Sequence, residues 1–247
     1  MSKGNLAVKE EFDDIIVNEA IINEKPVNNI RIINKEKTNK KILYRAIKRM
    51  IDIIGAIVGI IFLIPTTIAV CLARKISKED KGPLFYEQLR YGKNGKVFRL
   101  YKFRSMCIGA DEKLKKYLEE SEEIRKEFQK THKLQNDPRI TKIGNFLRKT
   151  SLDELPQMIN ILKGDMSFVG PRPVVEKEVE EYGENKEKFL SVKPGLTGYW
   201  QVNGRSNTTY EERMEMELYY VDNCSLWLDI KIFFKTFIAV FKKEGAV

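Results

Sequence analysis

The chain has 247 residues, 43% of them hydrophobic, and a formal net charge of +9. That is enough for one sizeable domain, or a domain with an appendage, around a real core, and the basic balance points to phosphates on nucleic acid, an anionic membrane face or a nucleotide. Three cysteines, Cys71, Cys107 and Cys224, lie far apart without a CxxC pair, which argues against a disulfide framework and a zinc site and for a reducing compartment. The single histidine, His132, excludes two-histidine metal sites; in "QKTHKLQ" it reads as a solvated surface residue.

Residues 1–40 are polar and Asn-rich, carry no cleavable signal peptide, and are expected to form a loosely ordered tail. Residues 41–81 form the first strong feature. Ile53 to Ala73 is 21 residues without a charge, and a bilayer core of ~30 Å needs about 20 apolar residues as a helix. One spanning helix is the plain reading. Two details favour a hairpin instead. Pro65 interrupts the helix in mid-segment, and Thr66 and Thr67 can bond carbonyls that it frees. Both flanks are basic: Lys40, Lys41, Arg45, Lys48 and Arg49 before, Arg74, Lys75, Lys78 and Lys81 after. Positive charge stays cytoplasmic, so a re-entrant segment suits the flanks as well as a spanning one suits the length. Asp52 at the mouth is costly unless paired, and its spacing from Arg49 allows a local ion pair.

Next, Leu84–Arg90 and Val97–Arg104 flank Gly92-Lys93-Asn94-Gly95 and predict a β-hairpin. It carries Arg90, Lys93, Lys96, Arg99, Lys102 and Arg104, either as a solvated basic surface or as one docked on phosphate headgroups. Ala110 to Gln135 predicts a charged helix with a narrow apolar stripe of Leu114, Leu118, Ile124 and Phe128.

The chemistry concentrates in "RKTSLDELPQMINILKGDMSFVGPRP", Arg148 to Pro173. Ser151-x-x-Glu154 matches a capping box, so Asp153 and Glu154 read first as a helix start. Their surroundings allow more: Arg148 and Lys149 precede them, and Arg172 stands between Pro171 and Pro173. A guanidinium fork suits phosphate oxygens. One carboxylate could hold Mg²⁺ and the other could be a nucleophile for phosphoryl transfer. The segment Lys193 to Arg205 reads as a glycine-rich loop, followed by a helix through "TYEERMEMELYYVDN". The final apolar run, with Lys231, Lys235, Lys242, Lys243 and Trp227, suits either an interfacial amphipathic helix or a buried one. No repeat and no Walker motif occurs.

Taken in order, "KRMIDIIG", the apolar run with Pro65, "GPLFYEQLRYG", "YKFRSM", "NDPRITKIGNFLRKTSLDELPQMINILKGDMSFVGPRP", "VKPGLTGYWQVNGRS" and "SLWLDIKIFFKT" resemble the bacterial sugar transferase family, the monotopic polyprenyl-phosphate phosphoglycosyl transferases. The likeness runs from about Lys48 to the C-terminus. It implies an α+β, mostly α, monotopic membrane protein: a re-entrant Pro-broken helix over 41–81, then a catalytic domain over 82–247 with a β-hairpin and interfacial amphipathic helices, on the cytoplasmic face of the cell membrane. The multi-helix N-terminal region of larger members is not expected here.

The implied reaction passes a sugar 1-phosphate from a UDP-sugar, expected to carry a hexose such as galactose or glucose, to undecaprenyl phosphate and releases UMP, initiating an exopolysaccharide, capsule or related glycan. The family's acid dyad falls on Asp153, the nucleophile, and Glu154, a Mg²⁺ ligand. Arg148 and the Pro171-Arg172-Pro173 triplet would bind phosphate or nucleotide, with Lys102 and Arg104 as further substrate-binding candidates. Arg49 and Asp52 match the family's pair at the membrane mouth, and Pro65 its helix break. Besides the donor and acceptor, membrane lipid, downstream glycosyltransferases and a second copy of the chain are candidate partners. The basic charge also raises nucleic-acid binding, but no RNP, zinc or basic-zipper pattern supports it. A non-catalytic basic adaptor at the membrane surface is the alternative, and it gives no reason for two acids beside two arginines.

Overall fold

A computed structural model describes residues 27–78, 82–131, 134, 137–204 and 208–241; side chains are described from Lys40 onward, apart from Glu127, Gln129, Lys130, Thr131, Val240 and Phe241. His132, Lys81 and Arg205 lie outside these residues, as does the tail through residue 26. The chain divides into Met1–Ile47 and Lys48–Val247.

Helix α1 spans Val27–Ser77. From Val27 it meets no proline or glycine before Gly55, so its ladder is uninterrupted there. Its first turns therefore fall within the stretch expected to be a polar tail. Helical backbone continues through Pro65. The Thr66 and Thr67 hydroxyls donate to the carbonyls of Phe62 and Leu63 at 2.8 and 2.7 Å, in the turn around the proline.

From Lys48 on, α1 has two faces. Asp52, Ala56, Leu63 and Val70 are buried, at heptad-like spacing along about 27 Å of helix at ~1.5 Å per residue. Ile51, Ile54, Ile57, Val58, Ile61, Phe62, Ile64, Ile68 and Leu72 are exposed. Gly55 and Gly59 let the buried face come close, since a Cβ at either would meet Phe168 or Met158 at 2.5 Å. Ala56 joins a core of Phe98, Leu100, Met158, Ile161 and Met166, while Leu63 and Val70 join one of Phe103 and Leu147.

The expected hairpin forms from β1 (Phe85–Tyr91) and β2 (Val97–Phe103), antiparallel, with Arg90 opposite Phe98 and Tyr86 opposite Lys102. The charged helix predicted over 110–135 is two helices, α2 (Ala110–Glu120) and α3 (Glu122–Thr131). Ser121 is extended and its hydroxyl accepts the Glu123 amide at 3.2 Å, so it caps a new helix instead of continuing the old one. α4 (Lys142–Lys149) leads through a short turn to α5 (Gln157–Lys163).

β3 (Ser167–Val169) and β4 (Gly195–Thr197) pair in parallel, with α6 (Glu176–Glu181) and α7 (Lys186–Phe189) between them. α8 (Tyr199–Asn203), α9 (Tyr210–Asn223) and α10 (Leu226–Phe241) follow. The segment expected as a loop from Lys193 thus holds a strand and a short helix. α10 is not a core helix: it buries Asp229 and Ile232 and exposes Trp227, Phe233, Phe234, Phe237 and Ile238. The fold is α+β and mostly helical.

Candidate active site

In the tetrad Leu152-Asp153-Glu154-Leu155 the two leucines pack on the core and flank the two acids. Leu152 and Leu155 pack on the cluster that contains Leu63, Val70, Phe103 and Leu147 of α1, β2 and α4, which anchors both ends of a 3₁₀ turn over Leu152–Glu154. The capping box expected at Ser151 is absent. Ser151 is left-handed (φ 55°, ψ 16°) and its side chain caps nothing. It follows directly on Thr150, the residue that ends α4, and Glu154 finds a stronger partner than the Ser151 amide. α5 begins only after Pro156, at Gln157.

That partner is Lys102, whose Nζ lies 2.6 Å from Glu154 Oε1. Asn160 creates the contact: its Oδ1 accepts the Tyr101 amide at 3.1 Å and its Nδ2 donates to the Arg99 carbonyl at 2.7 Å, riveting α5 to β2. Burial opposes a charge on Glu154, but the Lys102 ammonium, with Arg172 and a Gln157 hydrogen bond, holds its carboxyl below the usual range. Asp153 is only 9% exposed. Burial and then the Glu154 charge push its carboxyl up to about 6, against the pull of Lys102 and Arg148. The two adjacent acids are therefore driven apart in acidity.

Arg148, in the last turn of α4, donates from Nε to Ser105 Oγ at 3.0 Å and is held close enough to feel the charges of Asp153 and Asp137. Asp137 is itself forked by Arg139, with Nε–Oδ1 2.8 Å and Nη2–Oδ2 2.7 Å. Arg172 lines a cleft with Arg90, Lys102, Glu154, Gln157 and Pro173. The Pro-Arg-Pro turn is pinned by the Gly195 amide on the Pro171 carbonyl (2.8 Å) and by Arg90 on the Pro173 carbonyl (3.2 Å). Arg104 instead donates to the Pro83 carbonyl and lies over the Tyr86 ring; no described contact links it to the dyad.

Arg49 and Asp52 do not pair with each other. Arg49 donates to the carbonyls of Ile161 and Leu162 at 2.7 and 2.8 Å, at the C-terminal end of α5. Asp52 accepts from Ser167 Oγ and the Phe168 amide, both at 2.9 Å. Lys48 meets Asp229 at 2.7 Å and the Val169 carbonyl at 2.9 Å. The local pair gives way to these partners: helix-end carbonyls for Arg49, a hydroxyl and a backbone amide for Asp52. The mouth of the apolar segment thereby grips the elements that follow the dyad.

Sequence reasoning missed Arg90, Gln157 and Asn160 as parts of this site, and Glu217, whose Oε1 accepts the Arg172 amide. Arg90 was legible only as one of many hairpin cations. Among the described residues no three His, Cys, Asp or Glu side chains are placed to share an ion. Mg²⁺, however, is commonly held by one or two carboxylates together with substrate phosphates. The dyad offers oxygen donors only, and Lys102 engages one Glu154 oxygen, so these residues fit that kind of site.

A family model for bacterial sugar transferases matches residues 43–243, and the chain belongs to that family. It is 47% identical over 202 residues to the undecaprenyl-phosphate galactose phosphotransferase of Salmonella typhimurium, which covers 82% of this chain and 42% of that protein. It is 38% identical over 228 residues to the UDP-glucose:undecaprenyl-phosphate glucose-1-phosphate transferase of Escherichia coli, covering 89% and 46%. The exopolysaccharide production protein ExoY of Sinorhizobium fredii is 44% identical over 199 residues, covering 81% of this chain and 87% of that one. The chain thus spans less than half the length of the first two.

Proposed function

We propose that the chain transfers a sugar 1-phosphate from a UDP-sugar to undecaprenyl phosphate, releases UMP, and so begins an exopolysaccharide, capsule or related glycan. The observation that carries this reading is the buried Asp153 beside a Lys102-paired Glu154, with Arg148 close by and Arg172 lining the same cleft as Glu154. Relatives named for galactose and glucose transfer favour a hexose.

In the proposed reaction an Asp153 carboxylate oxygen attacks the β-phosphorus. The bond from that phosphorus to the bridging oxygen breaks, UMP leaves with the electron pair, and a phosphosugar stays on Asp153. A phosphate oxygen of undecaprenyl phosphate then attacks the same phosphorus and Asp153 departs as carboxylate. Arg148 and Arg172 neutralise phosphate oxygens and hold them in line, which is most of what phosphoryl transfer requires of a protein. Glu154 would hold Mg²⁺, which supplies further charge neutralisation on the diphosphate when bound. An acid held partly protonated near pH 6 becomes the attacking anion at neutral pH.

We also infer a monotopic arrangement on the cytoplasmic face. Lys40–Ser77 is long and apolar enough to cross a bilayer, yet from Asp52 to Val70 one of its faces is covered by the catalytic body. A helix covered in this way cannot be ringed by lipid, and its basic flanks suit an arrangement held to one face. The exposed aromatic face of α10 would rest in the headgroup region. A UDP-sugar panel with undecaprenyl phosphate, read by UMP release, tests the reaction. No release above background from any UDP-sugar would overturn it.

A further inference from the structure

The proposed reaction uses Arg172 but leaves open what aims it. Behind the cleft, α9 presents Arg213 and Glu217 one turn apart. Glu217 is fully buried, at 0% exposure, and its Oε1 accepts the Arg172 amide at 3.1 Å. Its Oε2 is buried without a hydrogen-bond partner. Arg213 reaches Glu178 Oε1 at 3.4 Å, and Glu178 Oε2 takes Arg90 at 3.3 Å and the Val175 amide at 3.0 Å. Arg90 closes the chain on the Pro173 carbonyl. Both ends of the Arg172-Pro173 step are therefore tied to one helix, directly through Glu217 and indirectly through Arg213. A buried carboxylate with one backbone donor is a poor way to stabilise a fold, because desolvation outweighs a single hydrogen bond.

We propose that Glu217 is a positioning residue, which aims the Arg172 guanidinium at the donor's phosphates by holding the Arg172 amide. The proposal rests on the UDP-sugar reading for its consequence, though not for the contact itself. The groups facing Glu217 are Arg172 from the turn, Arg213 from its own helix, and Tyr182 from the end of α6. Burial pushes the Glu217 carboxyl up to about 7, against the Arg172 amide and the two arginine charges. Tyr182 is pushed above its ordinary range by burial and by Glu217, so it stays neutral. As pH falls through about 7, Glu217 gains a proton, becomes a weaker acceptor and loosens its hold.

Two readouts test this on the full chain in detergent micelles, with Glu217→Gln and Glu217→Leu. Pro171 and Pro173 have no amide, so hydrogen exchange at the Arg172 amide reports the contact alone. Protection is expected to persist in Gln, which keeps an acceptor, and to fall at least about tenfold in Leu relative to other α9-proximal amides. Equal protection in wild type and Leu would overturn the proposal. Kinetically, kcat/KM for the UDP-sugar should fall at least about tenfold in Leu. Gln should lie about two- to threefold below wild type at pH 8, and the wild-type-to-Gln ratio should drop toward one by pH 6. A pH-independent ratio overturns the proposal even if Leu fails to fold. A wild type that releases no UMP overturns the donor reading instead, and the exchange experiment then still decides the contact.

Discussion

At the scale of single residues, the structure makes the two arginines and the two acids separable. Arg148→Ala and Arg172→Ala would each remove a proposed fork donor to phosphate, and a charged hydrogen bond is worth ~1.5–3 kcal/mol. Each is expected to slow UMP release at least about tenfold, at ~1.36 kcal/mol per factor of ten, with an unchanged circular dichroism spectrum. Wild-type turnover in either variant refutes its role. Glu154→Gln should also be impaired, by loss of its charge toward Lys102 and Mg²⁺, and raising Mg²⁺ should restore part of the rate. The acids and the Pro-Arg-Pro arginine stood out as candidates because two carboxylates, two basic residues and a proline-held guanidinium lie close together in sequence. The cap at Ser151 was misread because S-x-x-E serves a helix start and a turn equally well. Only the distant Lys102, brought in by Asn160, decides where Glu154 points. Glu217 was hidden for a similar reason. In "EERMEMEL" an acid looks solvated, although positions 214, 217, 218 and 221 share one helix face and Met214 and Leu218 pack on a core.

At the scale of elements, the hairpin and the long helices announced themselves through alternation, turn residues and length. β3 and β4 did not. Each is three residues long and is defined only by pairing with the other, more than twenty residues away in sequence. Their closeness is set by glycine: a Cβ on Gly195 would overlap the Gly170 amide nitrogen. The Gly195 amide also holds the Pro171 carbonyl. Gly195→Ala is thus expected to cost ~1–3 kcal/mol of stability by overpacking and to reduce activity beyond that by shifting the Pro-Arg-Pro turn. Thermal unfolding together with UMP release checks this; an active, equally stable variant contradicts it. The break at Ser121 was likewise a local capping event inside a pattern that reads as one helix.

At the scale of the whole molecule, length and hydropathy marked a segment long and apolar enough to cross a membrane but left its path open. The buried face of α1, unreadable from composition, is what favours a monotopic path. Single cysteines placed near Lys41 and Lys78, in a background lacking Cys71, Cys107 and Cys224, should label from the same side of sealed vesicles. Labelling from opposite sides contradicts the re-entrant reading. The covalent step is tested most directly by incubating the protein with a UDP-sugar labelled at the β-phosphate, without polyprenyl phosphate, and quenching in denaturant. Wild type should retain the label on the peptide that contains Asp153, with UMP released in equal amount. Asp153→Asn, nearly isosteric at a turn, should retain none and release almost no UMP. An Asp153→Asn protein with near-normal UMP release, or a productive wild type that never carries the label, would contradict catalysis through Asp153.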